Sequence, residues 1–258
     1  MGACWEWVSA DSLKEAKMKK SSLVLLSLVL AGAASAEDLL KPEEHPVVGC
    51  GISFATPIQA PAQNATIDGF RWNIIYGENF GTHGCDIGFV GANRADASGF
   101  QLDIVAGWDD FDFTGCQIAG VGNAVLGGAT GFQLAGAVNY TRGAFTGFQL
   151  APVNYDGSLY GMQVAALNVN KVVSKGFQIG AYNADLNEYS GWSFGAVNYA
   201  DRIEGLQLGA LNIIATAGRG VQIGVINSAV VFSGIQIGVL NLIGNAEIPI
   251  LPIMNAQF

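Results

Sequence analysis

GFQLAGAVN at residues 131–139 returns as GFQLAPVN at 147–154, GMQVAALN at 161–168, GFQIGAYN at 176–183, GWSFGAVN at 191–198, GLQLGALN at 205–212, GVQIGVIN at 220–227 and GIQIGVLN at 234–241. The chain is therefore a repeat protein, with a unit of 14 to 16 residues. Self-similarity at a fixed period marks solenoids, propellers and arrays. A unit this short holds about one strand and its turn.

Working outward with the glycine as position 1, looser units begin at Gly69, Gly84, Gly99 and Gly115. They keep the glycine and the apolar second and fourth positions but lose or displace the Asn, as terminal repeats of an array often do. Position 3 is Gln in nine of the twelve units, position 5 is usually Gly or Ala, and position 8 is Asn. The Gln column is Gln133, Gln149, Gln163, Gln178, Gln207, Gln222 and Gln236. The Asn column is Asn154, Asn168, Asn183, Asn198, Asn212, Asn227 and Asn241, with Asn139 and Asn123 displaced by one residue. Alternation across positions 2 to 4 is the two-residue period of a strand. Positions 2 and 4, with the apolar residues two before a glycine (Phe145, Leu159, Tyr189, Ile203, Phe232), are the expected core. Charges collect in the connecting segments, as in DLNE at 185–188 and DRIE at 201–204.

Two all-β architectures accept such a unit. In a parallel β-solenoid or β-roll, here of about 12–13 short coils, equivalent positions stack and a repeated Asn or Gln forms a hydrogen-bonded ladder along the axis. In an outer-membrane antiparallel β-barrel each unit would be one strand, and about ten residues tilted by about 45° span an apolar band of roughly 25 Å. Barrel connections alternate between short and long, whereas every connection here is short, which favours the solenoid. The low charge, the positive mean hydropathy of +0.35 and the terminal Phe258 speak for the barrel.

Residues 1–36 read as address. Met18-Lys19-Lys20 is a basic start, Leu23 to Leu30 an apolar run and Ala34-Ser35-Ala36 a small-residue cleavage site, the pattern of a secretory signal peptide. Met18 is the expected true start, because the seventeen residues before it are polar and unlike a leader. Residues 37–46 form a short polar lead, expected to be flexible, and 47–258 a single β-repeat domain. Val47 to Thr56 alternates like a strand, and Pro57, Pro61 and Asn64 mark a loop. Residues 248–258 match a unit in spacing, with Asn255 at position 8, and are expected to cap the array, Pro249 and Pro252 denying N–H donors to a further strand.

Four lysines and three acidic residues leave with the leader, reducing 12 basic and 21 acidic groups to 8 and 18, a net charge of −10. Nucleic acid is not expected as a partner, since phosphate binding rests on Lys and Arg. Three cysteines remain, Cys50, Cys85 and Cys116. Cys85 and Cys116 share position 2 but lie two units apart, roughly 9.6 Å on stacked strands. Disulfides need Cα atoms within about 7 Å, so these two are expected to stay unpaired.

No cofactor motif is present. The glycine patterns belong to the repeat and precede no helix. His45 and His83 are far apart and expected in solvated turns. One acidic group, Asp103, Asp109, Asp110 and Asp112, is the candidate for a cation, Ca²⁺ taking carboxylate oxygens in flexible geometry. Its spacing matches no EF-hand loop, and a solvated connecting turn is the expected reading. Tyr140, Tyr155 and Tyr199, just after the Asn, could stack on sugar rings, but core or edge packing is the expected use.

The GxQxGxxN unit, behind a leader and ahead of a Pro-rich ending with a terminal aromatic residue, resembles a family of bacterial secreted surface-repeat proteins. The similarity runs roughly from Val47 to Phe258 and is most specific from Gly131 onward. It implies a place at the cell envelope and carries no assigned activity. More distantly the rhythm is similar to the β-roll heads of trimeric autotransporter adhesins, although this chain has no evident stalk.

Three classes of function follow. The chain is expected to be a non-enzymatic exported envelope protein, a scaffold or binding surface at the outer membrane, cell surface or periplasm. The alternatives are an integral barrel serving as pore or anchor, and a carbohydrate-active enzyme on a β-helix, which would need a carboxylate cluster on one face.

Overall fold

The computed structural model describes residues 45–258. The leader expected over 1–36, the start at Met18 and most of the lead over 37–46 lie outside the described residues. Thirteen strands follow in order: β1 (Val47–Ala55), β2 (Ile58–Ala60), β3 (Thr66–Asn79), β4 (Gly81–Asn93), β5 (Ala97–Asp109), β6 (Phe113–Ala119), β7 (Gly122–Val125), β8 (Ala129–Ala135), β9 (Val138–Leu150), β10 (Val153–Val164), β11 (Leu167–Asn170), β12 (Val173–Ile243) and β13 (Ile250–Gln257). No helix occurs among the described residues.

Successive coils pair in parallel, unit on unit, so the fold is a β-solenoid and not an antiparallel barrel. Each coil contributes to two parallel ladders. One carries the Gly-x-Gln run, as Leu159–Val164 of β10 lies on Ser174–Ile179 of β12. The other carries the Asn run, as Val153–Asp156 lies on Leu167–Asn170 of β11. A corner at positions 5 and 6 joins the two runs on one side, and the connecting segment closes the coil on the other. Asn123 and Asn139, one residue late in sequence, still fall in register with Asn154, because the corner takes up the extra residue.

Position 1 must be glycine for two reasons. From Gly69 to Gly234 all twelve have φ between +114° and +150°, a region L-residues avoid. Each also packs flat on the glycine below: a Cβ on Gly176 would sit 1.9 Å from the carbonyl oxygen of Gly161.

Both ends of the array are closed by an antiparallel strand. At the start, β2 folds back on β1, so the expected loop at 57–64 holds a strand of its own. At the finish, β13 runs antiparallel to the last coil, with Gln236 opposite Asn255 and Asn241 opposite Leu251. The expected cap segment thus lies back across the last coil and is not a further unit in sequence. The chain reverses after Gly244, which puts Asn255 beside the Gln column instead of the Asn column.

The core inverts the expectation for positions 2 and 4. Side chains at positions 3, 8 and 10 point inward, and 2 and 4 point outward. Gln133, Gln149, Gln163, Gln178, Gln207, Gln222 and Gln236 are all buried, as are the Asn residues from Asn123 to Asn241. The apolar residues two before a glycine do pack inside: Phe113, Phe145 and Leu159 in one cluster, Tyr189, Ile203 and Phe232 in another with Ile214 and Ile243. Apolar interior therefore lines the side of the charged connecting segments, and amide ladders fill the side of the corner.

Candidate binding surface

The amide ladders are built from the inside outward. Nδ2 of each Asn donates to Oδ1 of the next, without a break from Asn123 through Asn139, Asn154, Asn168, Asn183, Asn198, Asn212 and Asn227 to Asn241. The same nitrogen donates to the position-4 carbonyl of the following coil, as Asn168 does to Ile179 at 3.0 Å and Asn212 to Ile223 at 2.9 Å. That carbonyl precedes the corner, where the chain leaves one ladder for the other. The Asn side chain supplies a second bond to that carbonyl, as at Ile179, which also accepts from the Ala165 N–H at 3.0 Å.

The Gln column is interrupted. It runs from Gln101 through Gln117, Gln133 and Gln149 to Gln163, and again from Gln207 through Gln222 to Gln236. Between these stretches Gln178 donates to Asp185 instead, at 2.9 Å, and Ser193 occupies the next Gln position. Orphaned acceptors mark ladder ends and breaks: Oδ1 of Asn123, Oε1 of Gln178 and Oε1 of Gln236 are buried without a partner.

Several carboxylates lie inside, contrary to the expectation that charge stays in the connecting segments. Asp156 accepts from Gln149 at 3.0 Å and also from Gln163. Burial pushes its pKa up to about 7 and that of Asp185 up to about 6. In the first coils Arg71 and Asp86 form a buried ion pair, in the places that Gln fills later. Arg71 also donates to the carbonyl of Ala92 at 2.9 Å, and Asn73 donates to Asp86 at 2.7 Å.

The acidic candidates for a cation are divided by the fold. Asp103 and Asp109 face the interior; burial, followed by the charge of Asp86, pushes Asp103 up to about 8, and burial pushes Asp109 up to about 7. Asp110 is half-buried and accepts from Trp108 Nε1 at 2.6 Å, and Asp112 is exposed. The solvated-turn reading thus holds for Asp112 and fails for Asp103 and Asp109. Among the described residues no three His, Cys, Asp or Glu side chains come together as a metal set.

Neither histidine is a bare turn residue. His45 stacks on Phe80 with centroids 3.5 Å apart, and His83 meets Ser98 Oγ at 3.0 Å. Cys50, Cys85 and Cys116 are all free. Cys85 and Cys116 lie in one outward column with Phe70, Phe100 and Phe132.

That outward column belongs to the surface that the sequence reading missed. Position 2 carries Phe, Cys, Met, Trp, Leu, Val or Ile in all twelve coils, and position 4 Trp, Ile, Leu, Val or Phe. These side chains are exposed or half-buried, never buried: Trp72 is 52% exposed, Trp192 49% and Ile179 41%, while Phe132, Phe148 and Met162 are half-buried. At the corner Phe89, Ile104, Val121, Val225 and Val239 stand out, Val239 being 70% exposed. Tyr140 and Tyr155 stack at 5.7 Å on the outside of the Asn run, with Lys171 Nζ 4.6 Å above the Tyr155 ring. The period-2 alternation contained this surface, but taking apolar as inward hid it.

In comparisons with family models, curated proteins and solved structures, nothing matches this chain.

Proposed function

We propose that the chain is a non-enzymatic exported protein of the cell envelope, a rigid rod whose apolar exterior is its binding surface. The observation that carries this reading is the inversion of the coil. Polar side chains are consumed by ladders inside, so their amides are not offered to a ligand, while apolar columns run the length of the outside. A monomeric soluble protein rarely leaves so long an apolar patch uncovered. The leader-like residues 18–36 and the resemblance to secreted surface-repeat proteins support the envelope as its place.

The test is fractionation of the untagged protein after expression with its leader in a bacterial host. Processing after Ala36 and recovery in the envelope fraction are expected. Unprocessed protein in the cytosol, or a monodisperse monomer in the soluble periplasmic fraction, would overturn the reading.

A further inference from the structure

The outer surface is divided by a sharp line. Immediately before the glycine the outward residue is polar in every coil: Asp68, His83, Ser98, Thr114, Thr130 and Thr146 in the first six, and Tyr, Lys, Ser, Glu, Arg and Ser in the rest. Immediately after it the outward residue is apolar in every coil. Because the glycines stack in register, this change falls on one straight line along the rod. From Gly131 to Ile243 the ten charged residues avoid positions 2 to 9 altogether. Asp156 and Asp185 are interior, and the others sit in the connecting segments or just before the glycine.

Beyond the line both outer faces are apolar, and they meet at a corner of Ala, Gly, Pro, Val, Ile and Phe. A flat protein face would cover one of them and leave the other wet, whereas a fluid apolar medium wraps a ridge from both sides. The depth also fits. Positions 2 to 6 span about four residues at about 3.3 Å, or roughly 13 Å, against about 15 Å for half of the roughly 30 Å hydrocarbon core.

Two further features meet the demands of lipid. Backbone groups have no water to bond within a bilayer, and here the corner carbonyl of position 4 is held by the Asn ladder, as Leu208 is by Asn198 at 3.0 Å. Corner N–H groups are held as well, Ala165 by the carbonyl of Ile179 at 3.0 Å and Tyr182 by that of Ala166 at 2.9 Å. On the Asn face, Trp108, Tyr140, Tyr155 and Tyr199 stand in the column just after the Asn ladder, next to the charged segments, where aromatic residues gather at membrane interfaces.

We infer that the occupant of the apolar surface is one leaflet of a lipid bilayer. The rod lies with its axis in the membrane plane, its corner ridge in the acyl chains and its connecting segments among the headgroups. It rests on the bilayer without crossing it. This rests on the proposed binding role of the exterior and names its ligand.

The test is flotation of the purified full chain with vesicles of phosphatidylethanolamine and phosphatidylglycerol. Parent protein is compared with Ala196→Asp/Ala210→Asp at the corner and Ser190→Asp/Ser233→Asp on the polar side of the line. All four sites are exposed, so the fold should persist, which circular dichroism and melting would check. The parent and the polar-side variant are expected to float, and the corner variant to lose at least tenfold in vesicle-bound fraction. Equal flotation of all three would overturn the inference, as would equal loss by both variants. A soluble dimer by light scattering that ignores vesicles would identify a second copy as the occupant. Salt-released envelope protein that never floats would remove the leaflet and leave the envelope reading standing, whereas cytosolic protein would remove the envelope reading itself.

Discussion

Asn212 donates through Nδ2 to Oδ1 of Asn227 at 2.8 Å, and through the same nitrogen to the carbonyl of Ile223 at 2.9 Å. One side chain thus ties its own coil to the next at two points, one of them the bend between two ladders. Removing it in Asn212→Ala leaves Asn227 Oδ1 buried and unpaired and takes one bond from the Ile223 carbonyl. An orphaned buried group costs about 1–3 kcal/mol, so a loss of that size is expected. Denaturant melting gives the total, and hydrogen exchange should show the loosening centred on residues 205–234. Unchanged melting would mean that the ladder is ornamental.

The buried carboxyls make stability depend on pH in an unusual direction. Asp156 and Asp185 have pKa values raised from 3.8 to about 7 and about 6, because burial penalises their charge. A carboxyl that holds its proton more tightly when folded contributes fully below about pH 3.8, and that contribution is lost as pH rises through 6 to 7. Asp103 and Asp109, at about 8 and about 7, act in the same sense. The melting temperature is therefore expected to fall between pH 5 and pH 8 at constant ionic strength. Asp156→Asn/Asp185→Asn should make that fall shallower. A melting temperature that climbs over this range would contradict the assignment.

Gly176→Ala tests the stacking of position 1. Its φ is +134°, and the new Cβ would press on the Gly161 carbonyl, a backbone atom with nowhere to go. The backbone conformation alone costs about 1–3 kcal/mol, before the clash is counted. Gly49→Ala is the control, since the nearest atom to its Cβ is 4.0 Å away. Proteolysis should cut the first variant within the array and spare the second.

Which features could be read from the chain, and which could not, follows from what a repeat makes visible. Gly176, Gln178 and Asn183 recur at fixed spacing, so coil length, stacking and an internal ladder are all written in the sequence. Alternation, however, has no sign: it says that Phe177 and Gln178 face opposite ways, not which of them faces in. The ordinary rule buries the Phe. Here the Gln and Asn columns win the interior, because a stacked amide satisfies its donors and acceptors on its neighbours at every coil. The same degeneracy hid the reversal at the end. Asn255 has the spacing of a position-8 residue, and only the antiparallel pairing of Ile253 with Gly238 shows that the chain has turned back. The interior Arg71–Asp86 pair was unreadable for another reason: in the early coils each stands once, with no repetition to mark its column.

Ser193 offers the last test. It stands where twelve-coil regularity calls for Gln, between Gln178 and Gln207, and leaves Oε1 of Gln178 buried without a donor. Its own hydroxyl donates to Asn198 Oδ1 at 2.7 Å, an acceptor that Asn183 already serves at 2.8 Å. Losing the serine bond therefore orphans nothing. In Ser193→Gln the new amide could donate to Gln178 and accept from Gln207, joining the two halves of the column. A net hydrogen bond contributes about 0.5–1.5 kcal/mol, so a gain of about 1–3 kcal/mol is expected, read as a higher denaturation midpoint at unchanged slope. A lower midpoint would show that Tyr189 and its neighbours already fill the space, and that packing, not hydrogen bonding, set the break in the ladder.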